Sequence, residues 1–203
     1  MLDKEKIVKR ATQLGFINTG KYWGCAQSTF AAIVDTFREE GIPLCSKEGE
    51  TAIFKGVVGL SGGHANMGDG NCGAFTGAAV AISLASNVGR ADQLEDRNKR
   101  WIAFDNVGKT LARDFINEFR GVTCRDVTWK RWGKWWDSWD PEAKADFSKE
   151  EKERGCLAEG ACTISIYAGI GAGYIVDILN NPRTLEQVMA DHNLTPNKLV
   201  YKE

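Results

Sequence analysis

The chain has 203 residues, 43% hydrophobic and 26% charged, with 26 basic residues against 27 acidic ones for a formal charge of -1. That length fits one domain over residues 1–203, and the composition is ordinary for a globular protein, which excludes disordered, collagen-like and coiled-coil chains. A charge this close to zero argues against a general polyanion binder, so nucleic acid is not an expected partner.

Asp3 to Leu14 reads as a short first helix, with a turn over Gly15 to Gly20. Tyr22, Cys25, Ala26, Thr29, Phe30, Ile33, Val34 and Phe37 then recur at helical spacing, and Gly41 and Pro43 stop that helix. Phe54 to Gly77 is dominated by glycine, and Leu60 to Asn71 reads as an irregular loop. The loop leads into Cys72-Gly73-Ala74-Phe75-Thr76-Gly77-Ala78-Ala79-Val80-Ala81-Ile82, a run of small apolar residues suited to the centre of a bundle. Arg90 to Phe119 carries the stripe Leu94, Trp101, Phe104, Leu111, Phe115 and Phe119, and predicts one long amphipathic helix.

Five of the seven tryptophans fall between Trp129 and Trp139. Trp129, Trp132, Trp136 and Trp139 have the spacing of one helix face, and Pro141 to Gly155 is of mixed charge. Residues 129–155 therefore read as a tryptophan-rich, charged insertion. Ala161 to Val176 is the longest apolar run. It falls short of the ~20 residues of a spanning helix, so no membrane span is expected, and Thr163 to Leu179 reads as the last core helix. Residues 181–203 form a polar C-terminal extension, with a helix start at Thr195-Pro196. No alternating pattern marks a sheet. The predicted class is mainly α: a compact helical bundle with a glycine-rich loop before a central small-residue helix. Met1-Leu2-Asp3-Lys4-Glu5-Lys6 has no secretory apolar core, so a cytoplasmic location is the default expectation.

Six cysteines stand at 25, 45, 72, 124, 156 and 162. No C-x-x-C occurs, so zinc ribbons, thioredoxin-like motifs and ferredoxin runs are unsupported, as is attached haem. A shared site has to be assembled by the fold. Cys25, Cys72, Cys124 and Cys162 each fall near the predicted N-terminus of a helix. Such an end carries free N–H groups and about half a positive charge, which favours the metal-binding or attacking thiolate.

Cys72-Gly-Ala-Phe-Thr-Gly77 resembles the CGAxxG signature of the redox-active C_GCAxxG_C_C family. The earlier Cys-Ala-x-x of that family is matched by Cys25-Ala26-Gln27-Ser28. The segment before its third cysteine is similar to Phe115-Ile-Asn-Glu-Phe119-Arg-Gly-Val-Thr-Cys124, and its last cysteine, which opens the final core helix, favours Cys162 over Cys156. The resemblance runs from about Tyr22 to Leu179. The family also resembles the iron–sulfur part of split-Soret cytochromes. It implies an iron–sulfur or redox protein of anaerobic metabolism, with Cys25, Cys72, Cys124 and Cys162 as cluster ligands. The tryptophan-rich insertion and the extra Cys45 and Cys156 depart from the family pattern, and either extra cysteine is an alternative ligand.

His64 in the glycine loop is a candidate ligand or proton donor, and Asp69 a candidate proton carrier or turn residue. His192 reads as solvent-facing. Gly169, Gly171 and Gly173 fall inside a helix, so they serve close packing rather than a dinucleotide loop. The tryptophan stripe, with Lys130, Arg131 and Lys134, is either core packing or a surface for a partner or a second copy of the chain, giving a homodimer. Three functions remain open. The first is an iron–sulfur redox protein that transfers electrons to a partner protein or acts as an oxidoreductase on a small molecule. The second is a metal-free thiol–disulfide protein. The third is a zinc-stabilised adaptor.

Overall fold

The computed structural model describes residues 1–153 and 159–196. Helix α1 (Lys4–Tyr22) begins at Asp3, whose carboxylate accepts the Lys6 amide at 3.1 Å. It runs unbroken through Gly15 and Gly20, where the sequence predicts a turn. Gly15 is a contact point instead: a Cβ there would stand 2.9 Å from Ser165 Cα and 3.0 Å from Ala168 Cβ. Trp23, in the left-handed region with φ 54°, ends the helix.

Helix α2 (Cys25–Glu39) is enclosed on nearly every side, with Ala26, Phe30, Ile33, Val34 and Phe37 fully buried. Helix α3 (Lys47–Val58), started by Ser46 capping the Gly49 amide, was not predicted; it buries Val57 alone. Helix α4 (Gly73–Ala85) is the predicted small-residue helix, with Ala74, Ala78, Ala81 and Ile82 at its buried face.

The predicted long helix over Arg90 to Phe119 is broken. Helix α5 (Arg90–Glu95) stops at Asp96, whose extended backbone and side-chain bond to the Asn98 amide start a new turn. Helix α6 (Arg100–Asn106) then passes through a wide π-type turn, Val107–Ala112, into α7 (Arg113–Phe119). A π turn shifts the helical register. Leu94 and Phe104 of the predicted stripe are consequently exposed, whereas Leu111, Phe115 and Phe119 are buried.

Helix α8 (Cys124–Trp132) ends at Gly133, with φ 73°. The tryptophan stripe is therefore not one helix face. Trp132 and Trp136 pack on Phe147 of α9 (Pro141–Glu153), with ring centroids 5.6 and 5.2 Å away, and Trp136 donates to Asp146 at 2.6 Å.

Helix α10 (Thr163–Asn180) packs on α1, α2 and α4, and α2 packs on α1 and α4; these four make the core. By length and composition alone α10 is able to cross a membrane, but half of it is buried inside the bundle. Its glycines serve packing, as predicted: a Cβ at Gly171 would meet Ile33 and Ala78, and one at Gly173 would meet Val8. Helix α11 (Leu185–Asp191) follows. His192 is not solvent-facing. Its Nε2 lies 2.6 Å from Asp105 Oδ1 and its Nδ1 lies 2.8 Å from Lys109 Nζ, while Arg183 donates to the other Asp105 oxygen at 2.5 Å. The predicted start at Thr195-Pro196 borders residues outside those described. Among the described residues there is no strand, only an isolated antiparallel bridge, Asn71 to Thr123.

Candidate redox site

All four predicted cysteines stand at helix N-termini. Cys25 and Cys124 are the first residues of α2 and α8, and Cys72 and Cys162 are the N-caps of α4 and α10. The isolated bridge sets the relation of two of them. The Cys72 amide donates to Val122 O at 2.7 Å and the Cys124 amide to Gly70 O at 3.0 Å. Asn71 and Thr123 are thus the directly opposed pair, and side chains alternate along each strand of a bridge. Cys72 and Cys124, each one residue further on, share the opposite face.

The glycines of the CGAxxG motif explain how Cys25 joins them. A Cβ at Gly73 would lie 2.2 Å from Cys25 Sγ and 2.7 Å from the Ala26 nitrogen. One at Gly77 would lie 2.3 Å from Ala26 O and 2.9 Å from the Phe30 nitrogen. Any other residue at either position would push the N-terminus of α4 off that of α2. The motif is a packing code that sets the Cys25 sulfur directly against the start of the helix that Cys72 caps.

The glycine loop closes over this junction. Residues Gly62, Gly63, His64, Ala65 and Asn66 all have positive φ, between 49° and 70°, a left-handed turn that costs each non-glycine residue about 1–2 kcal/mol. The turn is held by its contacts with α2. The Gly62 amide donates to Cys25 Sγ at 3.3 Å, and Ser61 Oγ accepts the Ala26 amide at 3.1 Å while donating to Gln27 Oε1 at 2.7 Å. Gly24 offers no side chain to cap α2, so Ser61 does so from a distance. The tryptophan segment lies on the loop's outer side: Trp135 covers Gly68, and Trp139 donates to Ala65 O at 2.9 Å.

Burial first, and then the charge of Cys25, push the Cys72 thiol up to about 12, opposed only in part by the amides of Ala74 and Phe75 and the Arg131 guanidinium. Burial pushes Cys124 up as well, aided by Cys72 and then by Cys25. Cys72 thus lies within the field of Cys25, and Cys124 within the fields of both. The sequence argument that helix N-termini hold them ionised is corrected: desolvation outweighs the N-terminal amides, and Cys72 and Cys124 are neutral thiols at neutral pH.

Cys162 is buried by different contacts. Its sulfur accepts the Ser165 amide at 3.3 Å and lies 3.8 Å from Thr19 Oγ1. Arg131 connects its surroundings to the trio. This side chain of α8 donates to Thr163 Oγ1 at 2.5 Å and to Ala161 O, and its charge reaches Cys72. The sequence marked Arg131 only as a partner for tryptophan, and it also stacks on Trp132 at 5.5 Å. Cys45 lies between α2 and α3 near Glu50 and Arg38, away from the trio. Cys156 lies outside the described residues. His64 is exposed, with its ring against Gly70, and Asp69 pairs with Arg125 at 3.0 Å. Among the described residues no three His, Cys, Asp or Glu side chains stand close enough to share one metal ion.

Neither a curated protein nor a solved structure matches the chain. Residues 23–170 match the model of a family described as "Putative redox-active protein (C_GCAxxG_C_C)". The matched stretch runs from the residue before Gly24-Cys25 into α10, through all four cysteines that stand at helix N-termini, and the chain belongs to the C_GCAxxG_C_C family.

Proposed function

We propose that this protein is an iron–sulfur redox protein. Its cluster is held by Cys25, Cys72, Cys124 and Cys162, and it passes electrons to a partner protein or a small-molecule substrate. The observation that carries this reading is the convergence of the N-termini of α2, α4 and α8, where the start of α4 stands directly against the Cys25 sulfur and the bridge sets Cys72 beside Cys124.

The donor set fits such a group. Soft thiolate sulfur suits iron–sulfur clusters, and backbone N–H groups aimed at sulfur tune their potential. Here the Gly62 amide reaches Cys25 and the Ser165 amide reaches Cys162. Buried thiols that repel one another need a neighbouring cation to ionise, and bound metal supplies it. The cluster would supply one-electron exchange. The protein's own contribution is to bury the sulfurs, orient them through the bridge and the motif glycines, and keep water out with the tryptophan segment.

The other two readings draw less support. Thiol–disulfide exchange needs an ionised attacking thiol, and burial works against ionisation of Cys72 and Cys124. A tryptophan-faced adaptor needs a continuous stripe, and these tryptophans are divided between Phe147 and the glycine loop. The test is anaerobic purification followed by iron and acid-labile sulfide analysis. Both should be present in comparable amounts. A colourless, iron-free protein after strict anaerobic handling would overturn the proposal.

A further inference from the structure

Cys162 reaches the bundle from a segment far in sequence from the other three cysteines, and one side chain ties that segment down. Arg131 projects from the last turn of α8, the helix that Cys124 begins. Its guanidinium forks onto Ala161 O and Thr163 Oγ1, the residues on either side of Cys162. The fork therefore fixes the backbone that carries the sulfur, as a two-pronged donor fixes geometry better than a point charge. The same half-buried guanidinium stacks on Trp132, which packs in turn on Phe147, so its own position is set by the aromatic cluster.

We propose that Arg131 is a positioning residue of the redox centre: it ties the Cys162 segment to α8, the helix that Cys124 begins, and sets a fixed positive charge beside that segment. The proposal rests on the iron–sulfur reading for its effect on potential, and on geometry alone for its effect on Cys162. The fork places the guanidinium charge beside the two residues that flank Cys162. The chemistry also separates the two roles. Lysine keeps the charge and loses the fork; glutamine loses both the charge and the five-donor fork.

The test compares the full chain with Arg131→Lys and Arg131→Gln. Fold is monitored by circular dichroism. In the reduced protein freed of metal, iodoacetamide labelling of each cysteine is followed by peptide mass spectrometry. Cys162 should be labelled at least tenfold faster in both variants, with Cys25 and Cys72 little changed. In the metal-loaded protein, Arg131→Gln should shift the one-electron equilibrium about tenfold against reduction, about 59 mV lower. Arg131→Lys should stay near the parent value. Unchanged Cys162 labelling in a folded Arg131→Gln variant overturns the positioning role. An unchanged potential in that variant overturns the charge role. Absence of iron from the parent protein would sink the cluster reading, while the labelling result would still decide whether Arg131 holds Cys162.

Discussion

Gly77→Ala puts a single methyl group between α4 and α2. Its carbon would stand 2.3 Å from Ala26 O, 2.9 Å from the Phe30 nitrogen and 2.9 Å from Thr29 Cβ. Two of the three are backbone atoms, so no rotamer change relieves the clash. Ordinary contact requires the helices to part by roughly 1 Å, which forfeits much of the packing along the seam. Overpacking of this kind costs about 1–3 kcal/mol, against which alanine recovers about 1 kcal/mol of helix propensity. Gly56→Ala is the control, because a Cβ at this exposed position in α3 meets nothing within 4 Å. The control should gain about 0.5–1 kcal/mol. Chemical denaturation and thermal melting read both variants, at about 2–4 °C per kcal/mol for a chain of this size. Gly77→Ala should melt below the parent and bind less iron, because parting α2 from α4 moves Cys25 away from Cys72. A Gly77→Ala protein as stable as the parent, beside a control that behaves as stated, would refute the packing account of the motif.

Three further outcomes follow from the structure. Cys72 and Cys124 have folded-state pKa values above the ordinary thiol value of 9.0. Above about pH 9 the unfolded chain therefore releases protons that the folded chain keeps, and the metal-free, reduced protein loses stability as pH rises toward 12. Urea midpoints at pH 8 and pH 10.5 should show the drop, and Cys72→Ala/Cys124→Ala should flatten it; a rise with pH would contradict the shifts. Asp105→Asn leaves Arg183 and His192 without their nearly buried carboxylate, whose side chain is 5% exposed. Discounted for the partly exposed cations, the cost is about 1–3 kcal/mol. Amide exchange across α11 should quicken about tenfold or more, whereas unchanged exchange would mean that the ion pairs do not dock that helix. Ser61→Ala removes the distant cap of α2 and should cost about 1 kcal/mol by denaturation. It should also loosen the left-handed turn, seen as faster exchange of the Gly62 amide; a silent Ser61→Ala would deny the loop its anchoring role.

The helix N-termini that carry the four cysteines were legible because each follows a break that chemistry enforces: Gly24, the glycine loop, Gly121 to Thr123, and the polar stretch before Cys162. The small-residue helix α4 was legible for the same reason, since no other element tolerates alanine and glycine buried on most sides. Other elements depended on partners far away in sequence. Gly15 looked like a breaker because its close approach to Ser165 is invisible locally. Helix α3 buries one residue, so its sequence carries little apolar periodicity. Asp96 and the π turn rephase the Arg90 to Phe119 pattern, and Gly133 cuts a tryptophan spacing that otherwise scans as helical. His192 and Arg131 took their roles from Asp105 and the start of α10, which only the fold brings near. The protonation of Cys72 and Cys124 was not legible, because a helix end is visible in the sequence and the burial that outweighs it is not.

Iron content of single Cys→Ser variants, purified anaerobically and normalised to folded protein, tests the central claim most directly. Serine at 25, 72, 124 or 162 should abolish or sharply reduce bound iron and its visible absorbance, and serine at 45 should leave both at the parent level. Iron retained in full by all four of those variants, or lost only with Cys45, would contradict the account.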